Sequence, residues 1–194
     1  MARRVTADTV LHGLIELGIE ARKHYQVWWA LVHEARLRYR PTMNRFSDYF
    51  NAAVRAHFDS MALAIARMYD KKSSTSTLAK YLKLDASSFS ARELEHFTSC
   101  VTQLAARAKV VLKIRHEAVA HKPSDRTERQ VFQANPFKPD EIRELIDDSI
   151  DLIEQWRRRK GWNNGVFQSR RFSTSVLGVL EALANSSGPG ATRD

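Results

Sequence analysis

The chain has 194 residues, of which 43% are hydrophobic and 27% charged, and its formal net charge is +9. This length fits one domain with a sizeable core, and the short, charge-broken apolar runs exclude a transmembrane helix. The N-terminal residues lack the apolar segment of a secretory signal and the single cysteine, Cys100, excludes an internal disulfide, so we expect a soluble, cytoplasmic protein. The basic charge favours a polyanionic partner such as nucleic acid or a membrane surface.

Apolar residues recur at every third or fourth position along most of the chain, and glycine and proline are scarce. This pattern predicts helices over residues 6–39, 44–69, 78–82, 91–121, 139–156 and 173–184. Pro41 is expected to end the first helix, and Ser90 with Glu93 predicts a capping box for the fourth. We therefore predict an all-α, up-down bundle of about five to six helices. It forms a single domain over residues 1–184, with a loop at 123–139 and a flexible tail at 185–194.

The fourth predicted helix ends in polar residues that continue its apolar stripe of Leu94, Phe97, Val101, Leu104, Ala108 and Val111. At about 100° per residue, Arg115 lies about 40° from Val111 and occupies the next position on the stripe. His121 lies about 120° from Arg115, so one α-helix does not bring the two side chains together. Because a buried, unpaired guanidinium costs several kcal/mol, Arg115 needs a carboxylate, a phosphate or a solvated cleft.

Two interpretations of Arg115 remain open from spacing alone. In the first, Arg115 forms an ion pair with Asp147 or Asp151 of the fifth helix, and His121 interacts favourably with the helix C-terminus. In the second, Arg115 lines a cleft, which a second subunit or a change at the helix end completes. Glu117 is four residues before His121, a spacing that allows it to hold the imidazole.

The segment "RHEAVAH", residues 115–121, resembles the signature of the HEPN superfamily (higher eukaryotes and prokaryotes nucleotide-binding), an Arg, a polar residue and a following His. The segment "FSDYFNAAVRAHFDSMALAIARMYDKKSSTSTLAKYL" resembles the abortive-infection type U branch of that superfamily. Together the resemblance covers about residues 25–155.

The resemblance implies a helical bundle that forms a homodimer, in which the two motifs meet across a two-fold axis. It also implies metal-independent endoribonuclease activity without a cofactor, in a toxin with a cognate antitoxin protein or in a phage-defence effector, with no membrane partner. For a hydrolase of this type, His121 suits a general acid/base and Arg115 suits a clamp for the phosphate. His116 would orient the substrate or share the proton transfers, and Glu117 would support His121.

A second basic segment, "WRRRKGW" at residues 156–162, suggests an RNA-binding surface. We predict that Arg157, Arg158, Arg159 and Lys160, together with Lys122, contact phosphates. The alternative is a solvated helix end whose cations complement the helix dipole, with Trp156 in the core. His24, His33, His57 and His96 are scattered over three helices without the spacing of a zinc site, and we expect His57 to be packed in the core.

Two other functions are compatible with these patterns. The chain could be a non-catalytic helical module that binds nucleic acid or protein, in which case RNA binding is salt-sensitive and no RNA is cleaved. Alternatively it could be a purely structural dimerisation domain, in which case Arg115 is buried against an acidic side chain.

Overall fold

A computed structural model of the chain describes residues 5–70, 76–120, 127–162 and 171–186. Within these ranges every regular element is a helix and none is a strand, so the predicted all-α fold is confirmed. The predicted tail lies mostly outside the described residues. No helix of the described ranges is long and apolar enough to cross a membrane.

The first long rod begins with α1 (Ala7–Trp29), passes through a π-helical turn (Ala30–Glu34) and ends in α2 (Ala35–Arg38). Thr6 caps it, because its hydroxyl oxygen accepts a hydrogen bond from the Thr9 N–H at 3.2 Å. The sequence predicted the length of this rod but not the π-helical turn.

The rod ends close to the predicted residue, but Pro41 does not end it as predicted. The backbone bends at Tyr39, and Pro41 lies in the first turn of a short helix, α3 (Arg40–Arg45). Proline is tolerated there because the first turn of a helix needs no intrahelical N–H donor. A second bend at Phe46 separates α3 from the long helix α4 (Ser47–Tyr69).

Two more long helices complete the bundle. A short α5 (Leu78–Asp85) leads to α6 (Ala91–Ile114), which begins with the predicted capping box of Ser90 and Glu93. A short α7 (Glu128–Ala134) occupies part of the predicted loop, and α8 (Pro139–Arg159) follows it. The last helix, α9 (Arg171–Asn185), is slightly longer than predicted.

The main core lies between α1, α4, α6 and α8, where each helix buries the apolar stripe that the sequence predicts. Side chains from all four helices are almost fully buried, among them Leu14, Met61, Ile65, Ala108, Ile114, Ile146, Ile153 and Trp156. A smaller cluster joins α9 to the end of the first rod and the start of α4, and it comprises Leu31, Ala35, Tyr39, Met43, Phe50 and Leu180.

Candidate functional site

The motif found in the sequence lies in a π-helix, Arg115–Ala120, that continues α6. A π-helix forms i→i+5 hydrogen bonds and winds more widely than an α-helix, and short π-helices are frequent at functional sites. The angular argument based on 100° per residue therefore holds only as far as Ile114. Beyond that residue, the motif follows a different helical geometry.

Ile114, and not Arg115, takes the last core position of α6. The Ile114 side chain is fully buried, whereas Arg115 is half-buried and His116 is exposed. The expectation that Arg115 occupies a core position was therefore wrong by one residue. The guanidinium lies at the border between the core and solvent, which a cation tolerates better than full burial.

The predicted ion pair of Arg115 with the fifth predicted helix is not formed. Asp147 accepts a hydrogen bond from the Arg22 guanidinium at 2.7 Å, and Asp151 is exposed on α8. Among the residues that the structure describes, no side chain forms an ion pair or hydrogen bond with the Arg115 side chain. The ion-pair interpretation of Arg115 therefore has no support among the described residues.

His121 and Lys122 lie outside the described residues, so their positions relative to Arg115 remain predictions. The same holds for the predicted pairing of Glu117 with His121. Glu117 itself is half-buried in the first turn of the π-helix.

The π-helix packs against α4 and α7, and α7 was missed in the sequence. The Phe58 ring of α4 lies 5.3 Å from the Phe132 ring of α7 and 5.9 Å from the Phe137 ring. These aromatic contacts hold α7 on α4, beside the motif. The only sequence signal for α7 was the capping box of Thr127 and Gln130, which the structure contains.

His57 is half-buried rather than in the core, and it pairs with His24 of α1. The two Nδ1 atoms lie 2.8 Å apart, so one imidazole donates and the other accepts, and His24 Nε2 lies 3.1 Å from a Glu20 carboxylate oxygen. Burial lowers the pKa of both imidazoles, and the charge of Lys23 lowers each further. No group of three or more potential ligands in the described ranges could hold a metal ion.

Arg157 and Lys160, two of the predicted RNA-binding residues, form ion pairs within the protein. Arg157 is 4% exposed and donates to a Glu154 carboxylate oxygen at 2.7 Å. The Lys160 ammonium lies 2.9 Å from Asp85 and 3.2 Å from Asp8, and the hydrogen bond to Asp85 raises the pKa of the ammonium. These contacts indicate a structural role for both cations.

A third cation of the segment is also engaged. Arg159 pairs with Glu93, donates to the Ser88 carbonyl oxygen at 2.9 Å and lies over the Phe89 ring at 4.9 Å. Arg158 is exposed. Three of the four cations of the segment thus have partners within the protein, although Arg159 is also exposed, and Trp156 is fully buried, as the alternative interpretation expected.

Comparison with known proteins agrees with the helical fold. A family model described as AbiU2, from the HEPN group, matches residues 9–168. No curated protein and no solved structure matches the chain. The helical fold and this match define the chain as a HEPN protein. Within that superfamily, it belongs to the AbiU2 family, and the match extends beyond residues 25–155 to include most of α1 and the end of α8.

Replacing Lys160 tests whether the basic segment serves stability. We expect Lys160→Gln to lower the free energy of unfolding by ~1–3 kcal/mol, because Asp85 keeps a largely buried carboxylate without its cation. Arg158→Gln, an exposed neighbour, should change it by less than about 0.5 kcal/mol. Urea denaturation of both variants measures the difference, and equal stabilities would contradict the structural role of Lys160.

The histidine pair makes stability depend on pH. Because burial lowers both imidazole pKa values below the ordinary 6.5, the unfolded chain binds protons that the folded chain does not. The contribution of the pair to the free energy of unfolding is therefore fully present above pH 6.5 and decreases as the pH falls below 6.5. We expect urea denaturation to give a lower free energy of unfolding at pH 5.5 than at pH 7.5.

The double variant His24→Gln/His57→Gln should show a smaller loss between the two pH values. His96→Gln is the control, because His96 is exposed on α6, and it should retain the loss seen in the unmodified chain. An unchanged pH dependence in the double variant would show that the pair does not cause it.

Proposed function

We propose that the protein is a metal-independent endoribonuclease that acts as a toxin or phage-defence effector. Its membership of the AbiU2 family within the HEPN superfamily supports a role in RNA cleavage or abortive infection. The observation that carries the proposal is Arg115, a half-buried cation in a π-helix whose side chain has no ion pair with a described residue. The excess of nine positive charges also favours a polyanionic substrate.

The proposed reaction is an attack of a ribose 2′-OH on the adjacent phosphorus. A base removes the 2′-OH proton, the new P–O bond forms, and the bond to the 5′-oxygen breaks as that oxygen receives a proton. The products are a 2′,3′-cyclic phosphate and a 5′-hydroxyl end. His121 is proposed for the proton transfers because an imidazole titrates near neutral pH, and Arg115 for the charge on the phosphate oxygens.

The remaining motif residues have supporting roles in this proposal. His116 is exposed, which suits contact with the RNA or a share in the proton transfers. Glu117 would orient His121. We further propose that the protein is a homodimer in which Arg115 of one subunit approaches His121 of the partner subunit, and that a cognate antitoxin protein controls it.

Replacing the two central residues tests the activity. We expect Arg115→Ala and His121→Ala each to lower RNA cleavage by the purified protein at least about 100-fold, because each variant removes a charge or proton donor from the transition state. Cleavage by the unmodified chain should persist in EDTA. His96→Ala, an exposed histidine of α6, is the control and should cleave normally. Unchanged cleavage in both motif variants, with helical circular dichroism intact, would refute the proposal. RNA binding without cleavage by the unmodified chain would instead identify a binding module.

Mixing the two inactive variants tests the shared site. If Arg115 of one subunit works with His121 of its partner, a mixed dimer of Arg115→Ala and His121→Ala subunits contains one intact site. If subunits pair at random, about half of the dimers are mixed and each has one intact site of two. About a quarter of the normal number of sites should then be restored. Cleavage assays after co-refolding measure this recovery. If the mixed dimers form and cleave nothing, each site uses both residues of the same subunit.

A further inference from the structure

A strongly basic surface, separate from residues 156–162, lies where α2, α3 and α4 meet. From residue 35 to residue 47, the chain has four arginines and no acidic residue. We call this surface the basic elbow and define it by Arg36, Arg38, Arg40 and Arg45. The bends at Tyr39 and Phe46 fold these residues around two cavities instead of spreading them along one helix.

The larger cavity of the basic elbow has a volume of ≈ 400 Å³. Arg36 and Arg40 line one part of it, and Met43 and Phe50 provide apolar surface. Its other lining residues are polar and uncharged, with hydrogen-bonding side chains: Asn44, Ser47 and Asn51. A volume of this size accommodates a small ligand or a single unit of a polymer, and the lining residues combine cations with neutral donors and acceptors.

Unlike Arg157 and Arg159 of α8, Arg36 and Arg40 have no acidic partner among the described residues. Both are exposed, and in the described part of the chain neither forms an ion pair or hydrogen bond through its side chain. The acidic residues that flank this stretch of the chain, Glu34 and Asp48, do not line the cavity. Two guanidinium groups beside one cavity without a carboxylate create a positive potential that attracts an anion.

The other two arginines extend the positive surface toward α9. Arg38 and Arg45 line a neighbouring cavity of ≈ 370 Å³. Arg38 lies 3.8 Å from Glu181 in a solvent-exposed pair, which is weak, and Arg45 lies over the Phe46 ring at 5.3 Å. The basic elbow therefore offers cations over two adjoining cavities rather than at one point.

Exposed aromatic rings border the basic elbow. Tyr49 is 69% exposed and Phe46 is 38% exposed, although large aromatic side chains usually find a buried position. Exposed rings beside cations are typical of surfaces that bind single-stranded nucleic acid, where bases stack on the rings and cations contact the phosphates.

We propose that the basic elbow binds single-stranded RNA outside the motif of residues 115–121. Arg36 and Arg40 contact consecutive phosphates, Asn44 and Asn51 form hydrogen bonds with a base or ribose in the cavity, and Tyr49 stacks on a neighbouring base. The amide side chains and the cavity favour RNA over an anionic membrane, because amides recognise base edges and riboses. The choice of RNA rests on the proposed function, whereas the anion-binding surface rests on the contacts of the elbow alone.

The fold connects the basic elbow to the motif through α4. The first turns of α4 line the larger cavity, and α4 also packs against the π-helix that carries Arg115. Phe58, whose ring contacts Phe132 of α7, is seven residues beyond Asn51, or about 10 Å along the helix. The elbow and the motif therefore depend on the same helix, α4.

A binding assay with uncleavable RNA separates this proposal from the proposed activity. The probe is a fluorescent single-stranded RNA of about 12 nucleotides with 2′-O-methyl riboses, which lacks the attacking 2′-OH. We expect Arg36→Gln/Arg40→Gln to raise the Kd of the full chain about tenfold in fluorescence anisotropy. The slope of log Kd against log salt should fall by about 1.4, since each lost contact with single-stranded RNA removes about 0.7.

The matched control is Lys83→Gln/Arg92→Gln, which removes the same charge from two exposed residues of α5 and α6. This control should change the Kd less than about twofold, since only distant electrostatic attraction is lost. Circular dichroism verifies that both double variants are folded, and Tyr49→Ala provides an independent test that should also weaken binding.

Three results would overturn the proposal. The first is no RNA binding by the unmodified chain, and the second is an equal loss of affinity in both double variants. The third is unchanged RNA binding in Arg36→Gln/Arg40→Gln while binding to vesicles of anionic phospholipid is lost. If the unmodified chain binds RNA through Arg36 and Arg40 but does not cleave it, the proposed binding at the basic elbow is supported and only the proposed cleavage is refuted.

Discussion

The burial of one apolar face on each of four long helices is the constraint on which the rest of this structure depends. The buried face of α6 extends as far as Ile114, and the polar residues Arg115, His116 and Glu117 that follow are only half-buried or exposed. The change to a π-helix at Arg115 occurs where this buried face ends. The motif is thus held at one end by a fully packed residue, while Arg115 and Glu117 are half-buried at the edge of the core, a combination that suits a binding site.

Helices α1, α4, α6 and α8 could be predicted because their apolar periodicity extends over several turns, where the pattern outweighs local exceptions. The π-helical turns could not, since one additional residue per turn leaves the mean spacing of apolar residues almost unchanged. The same limit caused the error at Arg115. Steps of three and four alternate along the stripe, and only packing decides that Ile114 follows Val111 in the core.

The motif of the candidate site was visible in the sequence, but the partners of its cations were not. "RRRK" has the highest local density of positive charge, yet Asp8, Asp85 and Glu93 approach it from three other parts of the chain. The arginines of the basic elbow are more widely spaced in sequence and hardly stand out, yet they line two cavities whose linings contain no acidic residue. Net local charge is therefore a property of the tertiary structure, which composition along the chain does not reveal.

The π-helical turn Ala30–Glu34 has a consequence for how this surface can change in evolution. A π-helical turn contains one residue more than an α-helical turn. It therefore determines the direction, about the helix axis, in which the side chains after it project. Loss of one codon in this turn would rotate α2 by about 100° relative to α1 while the main core kept its register. The direction in which Arg36 and Arg38 point is therefore adjustable by a single insertion or deletion, which would repack only the smaller cluster around Ala35 and leave the main core in place. In such a protein, the preference for one ligand over another could diverge between relatives much faster than the fold.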